Sequence, residues 1–303
     1  MSDSFATRLN AAIRRTKSIT CVGLDPRKAQ LPGELQTLAQ SEHPDAWAAA
    51  YTAFCKGVID VVADLVPCVK PQVAFFEQLG PAGMIALGEV IAAARDAGLM
   101  VIVDAKRNDI GSTATAYADA YLGSVQGDAA SPWGGDSLTV SPYLGRDSLE
   151  PFVKVCDERS AGIFVLVKTS NPGGGDFQDR LRDGRALYED VADMVTSLNA
   201  SRLDEQGYGP VGAVVGATYP EQLASLRKRM PHSILLVPGF GAQGGTAEDV
   251  RHAKDADGTG AVVNSSRGII FAYQRDGYRE RFGEQRWKDA IRAATVEMNV
   301  ALA

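Results

Sequence analysis

Apolar runs of strand length recur along the chain with helical patterns between them: Ile19–Leu24, Cys68–Val73, Met100–Val103, Leu138–Val140, Ile163–Val167, Ala213–Val215, Ile234–Val237 and Ala261–Val263. These runs are nearly continuous in apolar character rather than alternating, which suits strands covered on both faces. Strand alternating with helix predicts a parallel sheet joined by right-handed crossovers. Eight such units predict closure into an α/β barrel of the TIM (β/α)8 kind. An open doubly wound sheet is the alternative, because periodicity does not report closure. Trp287, Ala290, Ile291, Ala294 and Met298 share one helical face and predict a C-terminal helix over roughly 284–300, packed on the barrel.

Length agrees with this pattern. A single barrel needs roughly 250 residues, and the chain has 303. We therefore expect one domain over 1–303, with a core over roughly 15–275 and extra helices at both ends. Two polar inserts interrupt the rhythm. Gly123–Asp136 precedes a strand and is expected on the face that serves stability, whereas Asn171–Arg185 follows a strand and is a candidate lid on the active face.

Composition narrows the function classes. With 31 Lys+Arg against 37 Asp+Glu, the formal charge of −6 provides no basic field for nucleic acid. No apolar run reaches the roughly 18 residues of a membrane span, and the N-terminus lacks a signal-peptide core. Cys21, Cys55, Cys68 and Cys156 have no paired spacing, and read as buried free thiols of a cytoplasmic protein. His43, His232 and His252 stand in no metal-ligand or nucleophile-activating pattern, which argues against zinc hydrolases and Ser-His-Asp chemistry.

The chemistry concentrates where Val101-Ile-Val-Asp-Ala-Lys-Arg-Asn-Asp109 carries an apolar strand into charge. Strand side chains alternate, so Asp104 and Lys106 share a face with Met100 and Ile102, and both lie at the strand's carboxyl end. Asp109 follows in the turn before a helix expected to begin near Ser112. Taken alone, this spacing also fits a solvated ion pair and a helix cap. Other polar residues, however, also stand at strand ends: Asp25, Lys70, Ser170 and Arg267. Gly239, Gly241, Gly244 and Gly245, after the seventh strand, permit positive φ and converging N–H groups. With Arg267 after the eighth, they suit a phosphate.

Asp25, Lys70, the Asp104-x-Lys106-x-x-Asp109-Ile run with Thr113, Ser170, the Pro238-Gly-Phe-Gly-Ala-Gln-Gly-Gly245 loop and Arg267 together resemble orotidine 5′-phosphate decarboxylases of the longer bacterial type. The likeness spans roughly residues 15 to 275, and one departure is Asn108 in place of a glycine. It implies a catalytic array of Lys70, Asp104, Lys106 and Asp109 and a homodimer in which Asp109 and Thr113 enter the partner's site. It further implies that Asp25 and Lys70 hold the ribose and Ser170 the pyrimidine edge. Pro238, Gln243, Gly244, Gly245 and Arg267 would serve the substrate at its phosphate end, with Gln243 closing over it. On this resemblance the decarboxylation needs no cofactor or metal, and Lys106 protonates C6. Metal-dependent relatives of the same group place a Glu where Lys70 stands. A non-catalytic phosphate-binding barrel is a further alternative, although it would not call for a Lys between two Asp.

Overall fold

The structure is a computed structural model that describes residues 3–39, 41–123, 131–241 and 244–303. Eight strands form the barrel: β1 (Thr20–Leu24), β2 (Cys68–Pro71), β3 (Met100–Arg107), β4 (Ser137–Val140), β5 (Gly162–Lys168), β6 (Val211–Val215), β7 (Leu235–Val237) and β8 (Ala261–Ser265). Each pairs in parallel with its neighbours in the chain, and β8 returns to pair with β1, Val22 lying opposite Ser265. The sheet is therefore a closed TIM barrel. Every residue of β1, β2, β4, β6, β7 and β8 is buried, which is why these segments carry no polar alternation.

The strand bounds differ from the expected ones by one to four residues, and two of these differences have a plain physical cause. β2 stops at Pro71, and Val73 opens a short helix, Val73–Glu77. Proline has no N–H with which to continue the ladder, and beyond it Gln72 keeps a hydrogen bond to the Leu24 carbonyl at 3.1 Å and an isolated bridge to Asp104. β3 runs on past Val103. Its register pairs Val103 with Leu138 and Arg107 with Val140, so four steps along β3 match two along β4. The excess residues bulge, and within the bulge Lys106 adopts φ 47°.

The amino ends of the strands are sealed by a helix, α1 (Phe5–Thr16), capped by the Ser4 hydroxyl, which accepts from the Thr7 N–H at 2.9 Å. The Phe5 ring meets Phe164 edge-on at 5.9 Å, and a Cβ on Gly162 would lie 2.2 Å from that ring, so only glycine admits the plug. Arg8 pairs with Asp136, whose other oxygen accepts from the Val101 N–H at 2.9 Å. The described end of the Gly123–Asp136 insert thus lies on this closed face, as expected; residues 124–130 lie outside the described residues.

The last helix, α2 (Trp287–Leu302), buries Trp287, Ala290, Ile291, Ala294 and Met298 as expected. Trp287 packs on Phe54, ring centroids 5.4 Å apart. The Asn171–Arg185 insert folds as the short helical turns Pro172–Gly174 and Gly175–Gln178, then a hairpin that pairs Leu181–Arg182 with Arg185–Ala186. All four cysteines are buried and free. Among the described residues, no helix is long and apolar enough to cross a membrane.

Candidate active site

With α1 filling one end, the open end lies at the carboxyl ends of the strands. There a cavity of about 350 Å³ is lined by Asp25, Lys70, Asp104, Lys106, Ser170, Pro238, Gly239 and Arg267, all of them singled out in the sequence. Parallel strands end at one rim, so residues distant in the chain converge there.

Asp104 is the hub. Its Oδ2 accepts from Lys70 Nζ at 2.5 Å and from Gln72 Nε2 at 2.9 Å; its Oδ1 accepts from Lys106 Nζ at 2.6 Å and from Thr139 Oγ1 at 3.0 Å. Each oxygen thus has two donors, which makes a short, charge-assisted and orientationally locked carboxylate. Burial by itself would raise the Asp104 pKa, but the ammonium groups of Lys70 and Lys106 outweigh it and hold the carboxyl well below its ordinary range. Burial would likewise discharge Lys70; the charges of Asp104 and Asp25 prevail and hold its ammonium above the ordinary lysine value. Both groups are therefore ionised at neutral pH. The side chain of Lys106 is 48% exposed, against 6% for Lys70, so of these two lysines Lys106 is the one more open to the cavity.

Arg267 opens a short helix, Arg267–Ile270, directly after β8 and faces the cavity. Gly239, Gly241 and Gly244 take φ 100°, 68° and 94°. Gly245 does not need positive φ, contrary to the expectation; it is required because a Cβ would lie 2.7 Å from Ala217 Cβ. Gly244 and Gly245 close the turn through hydrogen bonds to Gly241 and Gly239 without lining the cavity, and Gln243 lies outside the described residues. Ser170 sits beside an insert tied down by the buried Lys168, which pairs with Asp179, and by Gln178, which bonds Thr169.

Asp109 and Thr113 are not brought into this cavity. Asp109 is partly exposed and accepts from the Ile110 N–H at 2.8 Å, while Thr113 is exposed on the helix Gly111–Tyr121. That helix begins one residue before the expected Ser112. Asn108 is not among the described residues with positive φ, so its turn does not demand the glycine it replaces.

Cavity residues to which the sequence reading gave no role include Arg27, Gln72, Thr139 and Asn264. Gln72 follows Lys70 by two and so shares its face. Thr139 interrupts the apolar run of β4, and Asn264 begins the Asn-Ser-Ser-Arg-Gly stretch. Arg27 stacks over Phe75 at 5.2 Å, a contact no local pattern announces.

The family model described as "Orotidine 5'-phosphate decarboxylase / HUMPS family" matches residues 19–278. An orotidine 5′-phosphate decarboxylase of Rhodopirellula baltica is 70% identical over 99% of this chain and 99% of its own length. One of Roseiflexus castenholzii is 43% identical over 96% and 98%. Among solved structures, OMP decarboxylase of Leishmania donovani is similar with a TM-score of 0.72 and 35% identity, covering 97% of this chain and 99% of that one. With a matching barrel and near-complete coverage on both sides, the chain belongs to the orotidine 5′-phosphate decarboxylase / HUMPS family.

Proposed function

We propose that this chain is an orotidine 5′-phosphate decarboxylase, which converts orotidine 5′-phosphate to uridine 5′-phosphate and CO₂ as the last step of UMP biosynthesis. The observation that carries the reading is the Lys70–Asp104–Lys106 array in the same cavity as Arg267. Loss of CO₂ from C6 leaves an electron pair in the plane of the pyrimidine, where the ring cannot delocalise it. Stabilisation must then come from a fixed charge beside C6. Lys106 supplies that charge, and its ammonium proton passes to C6 as the carbanion is quenched. Asp104, locked by four donors, orients Lys106 and faces the departing carboxylate. Asp25 and Lys70 take the ribose hydroxyls, Ser170 the pyrimidine edge, and Arg267, with Pro238 and Gly239 beside it on the cavity wall, the phosphate. Binding energy from that distant phosphate is then expressed in the transition state.

The direct test mixes orotidine 5′-phosphate with the protein and follows the fall in ultraviolet absorbance as uridine 5′-phosphate forms. A folded protein that leaves the absorbance unchanged overturns the assignment. The metal-dependent relatives are separated by exhaustive chelation. Lys70, already bonded to Asp104, would repel a divalent cation at that carboxylate, so turnover is expected to survive. A loss restored by Mg²⁺ would move the chain to those relatives.

The enzyme acts as a homodimer in which Asp109 and Thr113 complete the partner's site. Their position outside this chain's cavity, next to an Ile110 that is 55% exposed, supports that exchange. A twofold axis makes it reciprocal. The four buried free thiols suit a reducing cytoplasm.

A further inference from the structure

Lys106 is held in a backbone conformation that its own sequence does not favour. With φ 47° it lies in the left-handed region, where a residue bearing a Cβ is strained and persists only if its surroundings over-determine it. Its long side chain is half exposed and, among the described residues, is tied at the tip to Asp104 alone. The backbone end must be fixed by something else. In the ladder between β3 and β4, Val103 faces Leu138 and Arg107 faces Val140; Thr139, between those two β4 residues, faces the bulge. Its side chain takes the place of the missing ladder. The Thr139 hydroxyl accepts from the Lys106 N–H at 2.9 Å and donates to Asp104 Oδ1 at 3.0 Å.

Chemistry leaves no freedom in these roles. A hydroxyl has one proton, and an ionised carboxylate only accepts, so the proton goes to Asp104 and a lone pair receives the Lys106 N–H. Thr139 is 1% exposed, so water does not compete for either bond. One buried oxygen therefore binds the carboxylate that orients the ammonium and the backbone that carries it.

We propose that Thr139 is a positioning residue for decarboxylation, setting the place of Lys106 relative to Asp104 and hence to the reacting carbon. This rests on the reading of Lys106 as proton donor. The Thr139 hydroxyl gives its proton to the hydrogen bond with Asp104 and a lone pair to the Lys106 N–H, so it acts through those two residues. Its removal therefore acts on the transition state, where misplacement by about 1 Å can cost about 100-fold, and leaves ground-state binding largely alone.

The test compares Thr139→Val, Thr139→Ala, Thr139→Ser and Lys106→Ala with wild type for kcat, KM, uridine 5′-phosphate affinity and melting temperature. Thr139→Val and Thr139→Ala are expected to lower kcat about 100-fold while product affinity stays within about threefold. Thr139→Ser keeps both donor and acceptor and is expected to restore kcat to within about tenfold of wild type. The alanine variant adds no bulk and serves if the valine variant fails to fold. Wild-type kcat in a folded valine or alanine variant would overturn the role. So would a serine variant as impaired as alanine, which would assign the effect to the lost methyl group, or a product affinity that falls in step with kcat. If Lys106→Ala itself turns over normally, the underlying reading fails and this one with it. If Lys106→Ala is inactive while Thr139→Ala matches wild type, only the role of Thr139 fails.

Discussion

Both ends of the barrel bury polar side chains, but they satisfy them differently. At the amino end Asp136 meets Arg8 and the Val101 N–H, and Asn199 donates to the Val211 carbonyl and Ser233 while accepting from the Val211 N–H. At the carboxyl end, Asp25 Oδ1, Asn108 Oδ1 and Asn264 Oδ1 are buried without a partner, and among the described residues no other carboxylate or amide oxygen is so placed. Near the amino end, among the described residues, the hydroxyls of Thr20 and Ser137 and the Nε of Arg159 lack one. An unmet buried acceptor costs about 1–3 kcal/mol. The closed end, plugged by Phe5, holds no such carboxylate or amide. The open end carries them where ligand hydroxyls can reach Asp25 and Asn264, and it also holds the strained backbone of Lys106. Stability and function thus occupy opposite rims of one sheet.

The sharpest way to break this comparison is Lys106→Ala. It is expected to lower kcat by a factor of about 10²–10⁴ or more with the circular dichroism spectrum unchanged, since general acid catalysis and the carbanion's counter-charge are both lost. Subunit exchange sharpens it: Lys106→Ala and Asp109→Ala chains, each inactive alone, should recover about a quarter of wild-type activity when randomly mixed, because half the dimers then hold one intact site. No recovery after confirmed exchange would return Asp109 to its own chain's site. Arg267→Ala is expected to raise KM for orotidine 5′-phosphate by about 10–100-fold, the value of a charged hydrogen bond. It should barely affect orotidine, and equal losses on both would remove Arg267 from the phosphate.

At the other rim the signs reverse. Asp136→Asn is expected to cost about 1–3 kcal/mol in urea unfolding, with kcat unchanged below the melting temperature. A fall in kcat without a loss of stability would contradict the division of labour. The smallest effect is one of pH, at Asp255 before β8. Burial, and then its neighbour Asp257, push the Asp255 carboxyl up to about 6. A folded-state value raised above the unfolded one gives stability that is present below the ordinary carboxylate range and lost as pH rises through about 6. The melting temperature should therefore decline slightly over that window, and Asp255→Asn should flatten the decline.

Much of this was legible from the residues. Strands covered on both faces must be apolar throughout, so eight runs marked the barrel strands to within a few residues. Asp25, Lys70, Asp104, Lys106, Ser170 and Arg267 could be assigned to one rim, because every parallel strand delivers its carboxyl end to the same side. What the chain alone did not reveal depends on register. A slip of one residue reverses which face a side chain takes, and the bulge in β3 is such an irregularity. It makes Thr139 the partner of both Asp104 and Lys106, although 35 and 33 residues separate them in sequence. Gly245 likewise looked like a site of positive φ, and only the approach of Ala217 shows why it is glycine. The sequence by itself determined the strands, the rim and the charges that meet there, since these follow from local periodicity and side-chain chemistry. The tertiary structure alone decided which donors lock Asp104, how Lys106 is aimed and which acceptors await a ligand, because each is a contact between strands whose alignment no local pattern encodes.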